Sequence, residues 1–191
     1  MNKNFKNQRL LSFFAGIIII LYLIIGFIPN FSAVDKIAPQ WLFMSIINAL
    51  GLFFLASNRK NYSNSISSTL TSTLSLTYIG FIIWASLSYF YAINPTEVIV
   101  NITRQANVLL MFLLMGILLF SFNQKIQFIC WTIVVILGIE VYAVINEAQT
   151  MINTSGLISS GDLKGVTANR NITAFSLAIK IPFILFLFHT V

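Results

Sequence analysis

The sequence predicts an all-α, multi-spanning membrane protein of about six transmembrane helices with a cytoplasmic N-terminus, and three observations carry that prediction. Hydrophobic residues fill 58% of the 191 positions and charged residues only 8%, so too little polar surface exists to coat a water-soluble globule. The apolar residues fall in blocks of about 15 to 20 rather than in short-period alternation, which favours spanning helices over a lipid-facing barrel. Positive charge is unevenly shared between alternate connections, and Lys and Arg are retained on the cytoplasmic side during insertion.

Taken in order, the first apolar block is 11–28, behind Lys3, Lys6 and Arg9. This is also the layout of a signal peptide, but the block is longer than a signal core and no small-residue cleavage pattern follows it cleanly, so it reads as a retained helix. The second block is 41–56 and the third 74–93. Between them, residues 61–73 are rich in Ser, Thr and Asn, a composition that predicts a flexible cytoplasmic loop.

After the third block, Asn94, Pro95 and Glu97 supply an N-cap, a proline at the first helical position and an acid at the third. The fourth helix is therefore predicted over 95–122, starting ahead of its apolar block at 108–122. At about 1.5 Å per residue it rises roughly 40 Å, more than the hydrocarbon core, so it tilts, protrudes or breaks. Arg104 then stands at the outer interface, placed to snorkel or to meet an anion. The fifth helix is predicted over 126–145 and the sixth over 172–188, joined by a long polar outer loop at 146–171.

With the N-terminus inside, the inner segments hold Lys3, Lys6, Arg9, Arg59, Lys60 and Lys125 and no acid. The outer segments balance Lys36, Arg104, Lys164 and Arg170 against Asp35, Glu97, Glu147 and Asp162. The net charge of +6 does not point to nucleic acid, because no more than two basic residues are adjacent and none is interleaved with aromatics on a soluble face. Residues 161–165, G-D-L-K-G, resemble a phosphate loop only superficially, lacking the Gly-Lys-Ser/Thr ending and a preceding strand. Cys130 is the single cysteine, so neither an internal disulfide nor a cysteine-based zinc site can form. His189 sits at the inner end of the sixth helix, far from every other candidate, and Trp41, Trp84 and Trp131 read as packing or interface residues.

Two constellations carry candidate chemistry. Asn169, Arg170 and Asn171 open the sixth helix: an Asn cap, outward backbone N–H groups, the helix dipole and a bidentate cation form an anion-binding corner. The alternative is a capped helix anchored by an interfacial arginine. Lys164 and Asp162 share the same outer loop and either join that corner or are simply solvated. Glu140 and Lys180 fall in sequential antiparallel helices at matching depths of roughly 10 and 13 Å, and an unpaired charge there is costly. They are expected to form an intramembrane ion pair, either as a brace or at the edge of a polar cavity. Pro182 is expected to kink the sixth helix below Lys180.

Residues 165–183, G-V-T-A-N-R-N-I-T-A-F-S-L-A-I-K-I-P-F, resemble the segment of the O-antigen ligase and polymerase superfamily in which Gly and an Asn-x-Asn pair precede a helix with small residues and then proline. Residues 84–97, W-A-S-L-S-Y-F-Y-A-I-N-P-T-E, are similar to that family's third helix and its Asn-Pro-acidic turn. The resemblance implies a multi-pass protein of the bacterial inner membrane, acting in cell-envelope and lipopolysaccharide biosynthesis. It implies transfer or polymerisation of glycan from undecaprenyl pyrophosphate at the periplasmic face, with no cofactor, no metal and no nucleotide sugar. It makes Arg170, Lys164 and Arg104 the candidates for holding the diphosphate, with Asn169 and Asn171 shaping the corner. Expected partners are membrane lipids, the lipid-linked glycan and the remainder of a longer parent chain, because family members carry further helices and a large later periplasmic loop. On that reading the 191 residues are an N-terminal portion that is inactive alone. The competing expectation is a non-enzymatic membrane protein, either a transporter half or a structural helical bundle.

Overall fold

The computed structural model describes residues 3–29, 31, 35, 37–120, 126–158, 163–167 and 170–190. Among these the regular structure is all helical: α1 Lys3–Leu23, α2 Ala38–Ser57, α3 Arg59–Leu70, α4 Thr73–Ser86, α5 Pro95–Phe120, α6 Ile126–Ser155 and α7 Arg170–Thr190. Short 3-10 turns follow α1 at Ile25–Phe27, follow α4 at Leu87–Phe90 and precede α7 at Gly165–Thr167. Among the described residues, five helical stretches are long and apolar enough to cross a membrane: Ala38–Ser57, Thr73–Phe90, Pro95–Phe120, Ile126–Thr154 and Asn171–Thr190. The apolar part of α1, Arg9–Leu23, is shorter. Large side chains such as Phe53, Trp84, Phe90 and Phe188 are exposed, as they are when lipid is the solvent.

The chain forms two compact units, one of Met1–Ile25 with Pro29–Asn123 and the other of Gly26–Ile28 with Gln124–Val191. In the first, α5 is the shared partner of α1, α2, α3 and α4. Its buried residues Leu114, Ile117 and Leu118 lie at helical spacing on one face. Opposite them stand Met44, Ile47, Asn48, Gly51 and Leu55 of α2, and Ala15, Ile18, Ile19 and Tyr22 of α1, each set again a single face. A Cβ at Gly51 would lie 3.1 Å from Leu114 Cδ1, so the absence of a side chain sets how closely α2 approaches α5.

The start of α5 is local chemistry. Asn94 Oδ1 accepts the backbone N–H of Glu97 at 3.3 Å, and Pro95 occupies the first helical position, where no donor is required. The 26 residues of α5 rise about 39 Å.

Two stretches depart from the sequence expectation. Residues 61–73, expected as a flexible loop, instead contribute most of α3 and the start of α4. Tyr62 and Ser65 are buried, and Tyr62, Ser65 and Thr69 recur at i, i+3 and i+7. Tyr62 packs edge-on against Phe54, and Thr69 comes so close to Gly116 that a Cβ there would lie 2.9 Å from its methyl. Small hydroxyl residues let α3 approach α5 closely, an advantage that composition alone does not register. Ser72 then caps α4 by accepting the Ser75 backbone N–H at 3.2 Å.

The polar connection expected over 146–171 begins ten residues later, because α6 continues to Ser155. Thr150 and Thr154 donate their hydroxyls to the carbonyls of Asn146 and Thr150, so these polar side chains are satisfied within the helix. Gly156, at φ 67°, ends it with its N–H on the Ile152 carbonyl at 2.9 Å, the left-handed cap that glycine adopts without steric cost. In α7 the helix runs on through Pro182.

Candidate functional site

Within the second unit, α6 and α7 pack as an antiparallel hairpin along a polar seam. Glu140 and Glu147 are seven residues apart, so they project from one face of α6, two turns or about 10 Å from each other along its axis. Facing them on α7 are Thr173, Ser176 and Lys180, at i, i+3 and i+7. From Glu140 toward the start of α6 this face is apolar, with Ile129, Ile133 and Ile136 buried at helical spacing.

At the deeper level, Lys180 Nζ donates to both oxygens of Glu140 at 2.7 Å. Ser176 Oγ donates to the same carboxylate at 3.2 and 3.3 Å. The Glu140 and Lys180 side chains are only 11% and 16% exposed, so opposite charges meet where water contributes little. At the shallower level, Glu147 Oε2 accepts two backbone N–H groups, from Lys164 at 2.9 Å and Gly165 at 2.8 Å. Buried Thr173 donates its hydroxyl to the Lys164 carbonyl at 2.6 Å. Gly165 adopts φ 54°, and a Cβ on it would come within 3.0 Å of both Thr173 and Val144. The loop at 163–167 is thereby bound to α6 on one side and α7 on the other.

Of the residues named from sequence, Glu140 and Lys180 meet each other, and Lys164 reaches the start of α7 through Thr173. The Lys164 side chain is exposed. Arg170 is the first residue of α7, described here by its backbone alone, and exposed Asn171 follows it. Asn169, Asp162, Lys36, Phe122 and Lys125 lie outside the described residues. His189 falls in the last turn of α7.

Arg104 belongs to the first unit and is already engaged. Its Nη2 donates to Asp35 Oδ2 at 2.7 Å, and its guanidinium carbon lies 5.8 Å from the centre of the Trp41 ring. Asp35 also holds the turn ahead of α2, accepting the Ile37 N–H on Oδ1 at 3.1 Å. The pair is more than a third exposed, so it fixes the α1–α2 connection against α5 at small energetic gain.

Sequence reasoning passed over two groups. Glu147 stands in sequence as one outer charge among several, although its seven-residue spacing from Glu140 marks the same helix face. The other is a buried amide network in the first unit. Tyr22 donates to Asn48 Oδ1 at 2.6 Å, the Asn48 amide donates to the Asn107 carbonyl at 2.9 Å and to its side-chain oxygen, and Asn107 donates to Ser45 Oγ at 3.0 Å. Asn48 is 2% exposed, so the network joins α1, α2 and α5 through polar groups that lipid could not satisfy. Near the α4–α5 connection a crevice of about 160 Å³ lies between Ile82 and Ala85 on one side and Val98 and Ile102 on the other, with Ser88, Asn101 and Gln105 as its polar lining. Among the described residues no three His, Cys, Asp or Glu side chains converge as metal ligands would.

Long apolar helices, lipid-facing aromatics and interhelical polar pairing define a multi-pass helical membrane protein. No protein-family model, no curated protein and no solved structure matches the chain.

Proposed function

We propose that this chain contributes the diphosphate-holding corner of a membrane glycosyltransferase of the O-antigen ligase type, acting at the periplasmic face of a bacterial inner membrane. The sixth span supplied by α1 and a cytoplasmic N-terminus belong to the same proposal. The observation that carries it is the tie from Thr173 to the Lys164 carbonyl at 2.6 Å. That tie brings the loop bearing one cation to the first turn of the helix that another cation, Arg170, begins. Both lie within or beside the G-V-T-A-N-R-N segment on which the family resemblance rests.

Chemically, glycan transfer from undecaprenyl pyrophosphate breaks the bond between the sugar's anomeric carbon and a phosphate oxygen, and charge accumulates on the departing diphosphate. Arginine and lysine are donors suited to that charge. The acceptor-aligning groups belong to the parent protein in this reading. Glu140 and Lys180 serve as the hairpin's brace: with Glu140 8% exposed and bonded to Lys180 and Ser176, the pair is closed rather than turned toward a solute path.

The test is binding of undecaprenyl pyrophosphate, with undecaprenol as control, to the protein in lipid nanodiscs. Arg170→Ala and Lys164→Ala should each weaken diphosphate binding by about 10- to 150-fold, since a charge-assisted hydrogen bond contributes about 1.5–3 kcal/mol. Undiminished binding by Arg170→Ala would sink the assignment.

A further inference from the structure

Lys164 has both of its main-chain polar groups tied while its side chain is exposed. Its N–H goes to Glu147 on α6, and its carbonyl goes to Thr173 on α7. The next residue, Gly165, donates to the same Glu147 oxygen at 2.8 Å and sits where no side chain fits. Residues that merely connect two helices need no such attachment, and an acid beside a proposed anion site would ordinarily repel the ligand. Both facts are accounted for if the carboxylate is committed to the backbone. Resting on the diphosphate reading above, we propose that Glu147 is a positioning residue that clamps the 163–167 loop and so presents the Lys164 ammonium to the diphosphate. A preset loop spares the ligand the ordering entropy that a free one would impose on binding.

The clamp and its use are separable by experiment. Hydrogen–deuterium exchange at the Lys164 and Gly165 amides, without ligand, reads the clamp; undecaprenyl pyrophosphate binding in nanodiscs reads its use. Glu147→Ala removes the acceptor and should speed exchange at both amides by about tenfold or more while weakening binding several-fold. Glu147→Gln keeps a carbonyl oxygen for both N–H groups and should leave each readout within about threefold of the unaltered protein. Unchanged amide exchange in Glu147→Ala overturns the clamp, and faster exchange with unchanged affinity overturns its role in presenting Lys164. Absence of binding by the unaltered protein instead overturns the diphosphate reading and with it the presenting role, while exchange still decides whether Glu147 clamps the loop. Should Glu147→Ala fail to insert, Thr173→Val removes the opposite tether and is read by the same two measurements.

Discussion

Replacing Glu140 by alanine is the perturbation whose cost can be worked most directly. The 21 residues of α7 rise about 30 Å, the thickness of the hydrocarbon core, and Lys180 is the eleventh of them. Glu140 is likewise the fifteenth of the 30 residues of α6. Glu140 lies about 10 Å along α6 from Glu147, and Lys180 about 10 Å along α7 from Thr173, farther than a lysine side chain snorkels. A lone lysine at a helix centre costs about 2.5–3.5 kcal/mol on insertion scales, and removing one partner of a buried pair costs about 3–5 kcal/mol. The two ranges meet near 3 kcal/mol, roughly a 150-fold shift in the folding equilibrium. Equilibrium unfolding in a bilayer mimic should show that loss for Glu140→Ala and a similar one for Lys180→Met. The double variant should lose about 1 kcal/mol or less, because apolar replacement of a whole pair is tolerated. If the single losses instead add in the double variant to within about 0.5 kcal/mol, the two residues are uncoupled and the reasoning fails.

Two further outcomes follow from the first unit. Asn48→Leu takes an acceptor from Tyr22 and a donor from Asn107, and should cost about 1–2 kcal/mol in the same unfolding measurement; a variant as stable as the parent would deny the network a structural role. Gly116→Ala places a Cβ about 2.9 Å from the Thr69 methyl and should destabilise by about 1 kcal/mol, with Thr69→Ala restoring most of the loss.

What the sequence reveals depends on how local the cause is. The start of α5 is legible because Asn94, Pro95 and Glu97 act within one turn. Glu140 and Lys180 stand out because a charge inside an apolar block demands a partner, and each supplies one to the other. The α3 helix is hidden because serine and threonine suggest a loop until their spacing is read against a close-packed neighbour, which is a tertiary fact. The end of α6 is hidden for the same kind of reason: Thr150 and Thr154 turn their hydroxyls onto their own helix, and only Gly156 stops it. Asn48 and Asn107 are 59 residues apart, Asp35 and Arg104 69 apart, and nothing in either local sequence specifies the other. Glu147 is the instructive omission, since its heptad relation to Glu140 is visible but the loop it binds is not.

The spacing within the hairpin also bears on how the protein is made. Forty residues separate Glu140 from Lys180, so at about 5–20 residues per second the acid leaves the ribosome some 2–8 seconds before its counter-ion. Entering the bilayer alone, either helix would carry an uncompensated mid-membrane charge, whereas the two entering together carry none. The favoured route for α6 is therefore to wait at the insertion machinery until α7 has been synthesised. A pause in translation between them would lengthen the most vulnerable moment in the protein's biogenesis.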